Sequence, residues 1–147
     1  MPLSSDLREF IELLNFHRVE YLIVGAHSLA FHARPRFTGD LDLWIRPTAE
    51  NGERALAALK QFGFGDMDLA AADFAAPNQI IQLGRAPNRI DLLTAISGVT
   101  AESAFSRQIS AELDGLPVAF LSKEHLIANK RAVGRPQDIA DVNELEG

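Results

Sequence analysis

The sequence contains no cysteine, which excludes disulfides, thiolate metal sites and cysteine nucleophiles without by itself naming a compartment. It also lacks any apolar run near the roughly 20 residues needed to cross a bilayer. Met1-Pro2-Leu3-Ser4-Ser5-Asp6 has neither the basic start nor the apolar stretch of a signal peptide. The expected location is therefore the cytoplasm, with no membrane partner. Positive charge is not in excess either: 14 Lys and Arg against 20 Asp and Glu give a net charge of −6, so the surface as a whole does not attract nucleic-acid phosphates. Such a partner would need a local basic patch, and Arg34 with Arg36, or Lys123, Lys130 and Arg131 with Arg135, are the two candidates. Each of these residues, taken alone, reads first as a solvated surface charge. No repeat, low-complexity tract or linker divides the 147 residues. One domain over 1–147 is expected, long enough to hide about two-thirds of its unfolded surface.

What is present alternates between helical and strand periodicity. Leu7, Phe10, Ile11, Leu13 and Leu14 recur at helical spacing after Ser5-Asp6, which predicts a capped helix near 5–16. Tyr21-Leu22-Ile23-Val24 is a buried strand ended by Gly25, and Ala26 to His32 makes one or two helical turns stopped by Pro35. Asp40 to Ile45 begins with strict polar–apolar alternation, the signature of a strand. Thr48 caps a helix carrying Ala55, Leu56, Leu59 and Phe62 and ending at Gly63, while 65–78 is irregular and receives no assignment. Two hairpins follow, 79–83 with 89–93 about Ala86-Pro87-Asn88, and 108–113 with 117–121 about Asp114-Gly115. Ser122 caps a helix to about Arg131, and Pro136 opens a last helix with Ile139, Val142 and Leu145 on one side. The C-terminal helices, about 122–146, are expected to pack on the core.

Side chains two apart in a strand share a face, so Asp40 and Asp42 aim two carboxylates one way while Leu41 and Leu43 enter the core. Adjacent like charges are unfavourable unless a cation or a shared proton relieves them, which points to a divalent metal. A bare Asp-x-Asp is nonetheless more often a solvent-facing edge. Context shifts the balance: the Val24-Gly25 turn offers backbone N–H groups and a helix N-terminus to phosphate, Ser28 adds a hydroxyl, and Asp91, between Ile90 and Leu92, supplies a third acid. His27, His32 and His125 invite a metal reading, but His27 and His32 are five apart and do not stack on one helical face. His32 is read as fixing a loop and His27 as a candidate contact to base or phosphate. Trp44 and Phe37 are read as packing residues. Asp138 and Asp141, three apart on the last helix, could meet Lys130 or Arg135, with a solvated face at least as favoured.

The stretch from Val24 to Leu43, with Arg36-Phe37-Thr38-Gly39-Asp40-Leu41-Asp42 at its end, resembles the signature of polymerase-beta-type nucleotidyltransferases. It is most similar to the small bacterial branch related to abortive-infection toxins and minimal nucleotidyltransferases. Arg89-Ile90-Asp91-Leu92-Leu93 resembles the strand bearing that family's third acid, and 126–141, with Lys130 and the Arg135-Pro136-Gln137-Asp138 turn, its C-terminal helical motif. Ala26 stands where the second small residue of a Gly-Gly or Gly-Ser pair is expected, and Ala33 where the branch commonly has glycine.

The resemblance implies an α+β nucleotidyltransferase fold, with a mixed or antiparallel central sheet of about five strands and helices packed on it. It implies that Asp40, Asp42 and Asp91 hold two Mg2+ (or Mn2+) ions, with Asp91 also able to accept a proton. Gly25, Ala26, His27, Ser28, Arg36, Thr38 and Lys130 would meet the phosphates or the leaving charge of a nucleoside triphosphate. The expected reaction is transfer of a nucleoside monophosphate to an acceptor: an RNA end, a protein hydroxyl as in a toxin–antitoxin or defence system, or a small molecule. Two other classes stay open. One is a fold that holds nucleotide weakly and acts through a partner protein, which Ala26 favours and the retained acids oppose. The other is a metal-dependent phosphohydrolase, which would normally bring histidines into the cluster.

Overall fold

The computed structural model of the chain describes residues 3–33, 39–64, 68–85 and 88–147. The Arg34, Arg36 and Thr38 expectations, and the Ala86-Pro87 turn, lie outside them. Six strands and six α-helices are found among the described residues, in the order α1 (Ser5–Phe16), β1 (Tyr21–Val24), α2 (Gly25–His32), β2 (Leu41–Ile45), α3 (Ala49–Leu59), β3 (Ile80–Leu83), β4 (Ile90–Leu93), α4 (Ala101–Ser106), β5 (Ile109–Leu113), β6 (Leu116–Phe120), α5 (Lys123–Val133) and α6 (Pro136–Glu146).

Local chemistry explains most boundaries. Ser4, one residue before the expected cap, opens α1 by accepting from the Leu7 N–H at 3.2 Å. Thr48 and Ser122 cap α3 and α5 in the same way. Leu59 ends α3 earlier than expected; one wide turn continues to Phe64, with Gly63 at φ +111° where the helix was expected to stop. Asp114 and Gly115 both take positive φ, 51° and 79°, the geometry a two-residue hairpin turn requires. Two segments had no assignment from sequence. Ala71–Phe74 is a single 3₁₀ turn that buries Phe74, and α4 is a six-residue helix capped by Thr100.

The strands form one sheet in the order β3-β4-β2-β1-β6-β5. It is mixed, as expected, but has six strands rather than about five. β1 runs antiparallel to β2 and parallel to β6, β2 is parallel to β4, and both hairpins are antiparallel at the edges. Strand alternation divides the core in two. Ile23, Leu41, Leu43, Ile45, Ile90, Leu92, Val118 and Phe120 pack with α1 and α3 on one face. Leu22, Val24, Trp44 and Leu121 pack with Ala104, Phe105, Leu126 and Leu145 of α4, α5 and α6 on the other. Trp44 is 1% exposed and meets Phe105 edge-on at 5.6 Å. It lies two residues beyond Asp42, so Asp42 belongs to this second face.

The C-terminal hairpin of α5 and α6 corrects two expectations. Ile139 is 46% exposed, so the buried side of α6 runs through Asp138, Asp141, Val142 and Leu145. Asp138 and Asp141 are not a solvated face. Lys130 Nζ lies 3.0 Å from Asp141 and 3.6 Å from Asp138, and Arg135 Nε donates to Asp138 at 2.8 Å. Gln137 donates to Asp141 at 2.9 Å. Arg131 pairs with Glu146 at 2.6 Å. Three cations of the C-terminal basic cluster are thus matched by acids of the same hairpin. His32 Nε2 meets the Leu121 carbonyl at 2.6 Å, tying the end of α2 to the end of β6, which agrees with its reading as a loop-fixing residue.

Trp44→Ala is expected to lose about 3–5 kcal/mol, as large aromatic deletions from a packed core do. A urea denaturation series on both proteins measures it, and a loss below about 1 kcal/mol would mean that Trp44 is not a core anchor.

Candidate functional site

The parallel register of β2 and β4 pairs Asp42 with Asp91, and the antiparallel register of β1 and β2 pairs Asp42 with Val24. On the far side, Gln82 of β3 pairs with Asp91. One row across the sheet therefore reads Val24, Asp42, Asp91, Gln82, all on the face that carries Trp44. The register sets the two carboxyl-bearing residues side by side. Burial, and then the neighbouring Asp91 charge, push the Asp42 carboxyl up from 3.8 to about 6. Asp40 precedes β2, and its Oδ1 accepts from the Arg89 backbone N–H at 3.0 Å. All three expected acids thus lie towards one end of the sheet, with Asp40 joined to the Asp42–Asp91 pair through Arg89.

Arg89, which sequence reasoning did not single out, sits among them. Its Nε donates to Asp91 Oδ1 at 3.0 Å and its Nη2 to Asp91 Oδ2 at 3.2 Å, and Nη2 is 3.9 Å from Asp40 Oδ2. The signal was available: an arginine two residues before an acid in an extended segment lies on the same side as that acid.

Gly25 opens α2 directly against this cluster, at φ +66°. A Cβ there would fall onto Asp42 Oδ2 and lie 2.9 Å from its Cγ, so both conformation and space demand glycine. In the first turns of α2, His27 and Ser28 are 6% and 0% exposed, and among the described residues neither His27 Nε2 nor Ser28 Oγ has a hydrogen-bond partner. Burial holds the His27 imidazole below its ordinary range, against an opposing contribution from the Asp40 backbone. Buried polar groups are normally satisfied. Two orphans side by side, next to a glycine turn and a helix N-terminus, make a site suited to an anionic ligand. Ala26 adds no polar side chain there. Lys130 is engaged with Asp138 and Asp141 rather than with the three acids. His125 shares a hydrogen bond with the Ser103 hydroxyl at 3.0 Å, linking α5 to α4.

The donor set suits a hard divalent cation. Asp42 and Asp91 are neighbouring acids, and a divalent cation held near them would offset the repulsion that, after burial, raises the Asp42 carboxyl. As placed, among the described residues, no three His, Asp or Glu side chains are close enough to form a metal cage. Arg89 occupies both oxygens of Asp91 and, through its amide, one of Asp40.

Solved structures share this architecture. The chain is similar to the lincomycin-bound lincosamide antibiotic adenylyltransferase LnuA, with 11% identity, a TM-score of 0.59 and coverage of 100% of this chain and 99% of that one. It is similar to the antibiotic-resistance factor ANT(2'')-Ia, with 13% identity, a TM-score of 0.54 and coverage of 97% and 80%. An antigenic nucleotidyltransferase-like protein from Paracoccidioides brasiliensis matches with 17% identity, a TM-score of 0.53 and coverage of 99% and 77%. At such identities the likeness speaks for the nucleotidyltransferase fold alone. No curated protein sequence matches the chain significantly. The model of the family described as "Nucleotidyl transferase of unknown function (DUF2204)" matches residues 3–147, almost the whole length, and the chain belongs to that nucleotidyl transferase family.

Proposed function

We propose that the protein transfers a nucleoside monophosphate from a nucleoside triphosphate to an acceptor hydroxyl, with Mg2+ or Mn2+ held by Asp40, Asp42 and Asp91. The observation that carries this reading is the Asp42–Asp91 pair, set in register on adjacent strands and facing Gly25. Family membership gives the reaction class. A divalent cation at the acids would neutralise triphosphate charge and make an attacking hydroxyl more acidic. The rest is work for the chain's own groups. Backbone N–H groups at the start of α2, from Gly25 and Ala26, would receive phosphate oxygens, with the Ser28 hydroxyl and a neutral His27 Nε2 as side-chain partners. Burial and the neighbouring Asp91 charge raise the Asp42 carboxyl to about 6, so above that pH its carboxylate can take the proton of the acceptor hydroxyl. The acceptor oxygen bonds to the α-phosphorus as the bond to the bridging oxygen breaks, and pyrophosphate leaves. Arg36, Thr38 and Lys130 remain proposed contacts to the phosphates.

The acceptor is an RNA end, a protein hydroxyl, as a toxin–antitoxin or defence role would require, or a small molecule. The net charge of −6 and the self-paired C-terminal cations weigh against a long nucleic acid. Two structural neighbours modify or resist antibiotics by their names, which favours testing small hydroxylated molecules first. Ala26 supports a second reading, a fold that binds nucleotide weakly and works through a partner protein.

Three outcomes test this. Calorimetric titration of ATP, GTP, CTP and UTP should give heat that depends on Mg2+ or Mn2+ in the parent and none in Asp40→Asn/Asp42→Asn; equal heats would discard the metal site. Metal-dependent binding with no pyrophosphate released across RNA, protein and small-molecule acceptors would select the binding-module reading.

The second outcome concerns pH. Because folding raises the Asp42 pKa from 3.8 to about 6, the folded chain holds that proton more tightly and gains stability as pH falls from above 6 towards 4. Without metal, Asp42→Asn should therefore melt above the parent at pH 8, with the gap closing by pH 4. A gap that is constant over this range would exclude the raised Asp42 carboxyl.

The third is steric. Gly25→Ala drives a methyl into Asp42 and should abolish metal-dependent nucleotide binding while circular dichroism still reports a folded protein. Unchanged nucleotide affinity would exclude the cradle.

A further inference from the structure

Among the described residues, Arg89 is the one cation inside the proposed metal site, and it is attached twice. Its guanidinium forks onto both oxygens of Asp91 at 3.0 and 3.2 Å, and its backbone N–H donates to Asp40 Oδ1 at 3.0 Å. Each of these oxygens is one that a cation would need. A guanidinium fork uses the carboxylate lone pairs in the carboxylate plane, which are the same lone pairs that ligate Mg2+ or Mn2+ at shorter range. Both occupants cannot hold Asp91 fully at once. The Arg89 side chain is 38% exposed and Asp91 only 12%. The arginine can therefore swing outward without unpacking the core, whereas Asp91 is fixed by β4.

We infer that Arg89 is a resident counter-ion for the acid cluster, and that a divalent cation enters by displacing its fork from Asp91 rather than by filling an open cage. The inference rests on the metal reading proposed above. It makes the acid cluster self-neutralised and weakens its grip on free metal. It also leaves a guanidinium released beside the acids just when a triphosphate would bring phosphate oxygens that such a fork fits.

Removing a unit positive charge a few ångströms from a partly solvated site should tighten cation binding by about tenfold after screening. In calorimetry with Mn2+ alone at pH 8, Arg89→Gln should bind at least about tenfold more tightly than the parent, and Arg89→Lys should fall between them. Equal or weaker Mn2+ affinity in a folded Arg89→Gln overturns the inference while leaving the metal site standing. Absence of Mn2+ binding in both proteins overturns the metal site, and the inference with it. A measurement on the unaltered protein guards against a variant that fails to fold. The Arg89 Nε–H resonance of 15N-labelled protein should shift or lose its protection from exchange as Mg2+ saturates the site. A resonance unchanged at saturation means that the fork persists, and rejects displacement.

Discussion

Two carboxylates are held side by side by a backbone register that neither of them can leave. Parallel pairing of β2 with β4 fixes Asp42 opposite Asp91, and the buried Leu41, Leu43, Ile90 and Leu92 on the reverse face keep both strands from slipping, since a one-residue slip would turn every one of them out of the core. The repulsion cannot be relaxed by motion, so it must be relieved by chemistry. Part of the relief is the raised Asp42 carboxyl and part is the Arg89 fork on Asp91. Gly25 follows from the same constraint, because Asp42 fills the space where any Cβ would stand.

A second pair of buried acids in the same protein shows what a structural solution looks like. Asp138 is 1% and Asp141 3% exposed, more buried than the site carboxylates, yet Asp138 is met by the Arg135 side chain and amide, and Asp141 by Lys130 and Gln137. Hydrogen bonding to Arg135 holds the Asp138 carboxyl below its ordinary value. The charges there are matched by the hairpin's own cations and cap α6, so nothing further is required to stabilise them. At Asp42 the shift runs the opposite way. The opposite directions separate an acid matched by a built-in partner, Asp138, from one buried beside another acid, Asp42.

Much of this was legible in the residues. Alternation in Asp40-Leu41-Asp42-Leu43 gave the strand and its faces, Gly25 after four apolar residues gave the turn, and Asp114-Gly115 gave a hairpin, because each of these signals is local and its period or dihedral demand is written in neighbouring residues. What escaped depends on contacts distant in sequence. Ala101–Ser106 is too short to display a helical period and exists because Phe105 packs on Trp44. Ile139 looked like core by spacing, but the helix turns its Asp138–Asp141 side inward because Lys130, on another helix, is there to receive it. Arg89 looked like an unremarked flank of a strand until β2 brought Asp40 beside it.

The same distinction bears on Ala26, the residue that departs from the expected small pair. A hydroxyl at that position would have been one donor among several at the start of α2, and its loss does not touch the backbone geometry, which is set by Gly25 at φ +66°. Two residues on, Ser28 Oγ is fully buried and His27 Nε2 nearly so, and among the described residues neither has a partner. Leaving such groups unpaired costs about 1–3 kcal/mol each, a cost with no return in a scaffold but recovered when an anion arrives. In the proposed phosphate cradle the side-chain donors would stand at positions 27 and 28 instead of 26, and on that reading the departure at Ala26 would be a change of donor within the site rather than the loss of it.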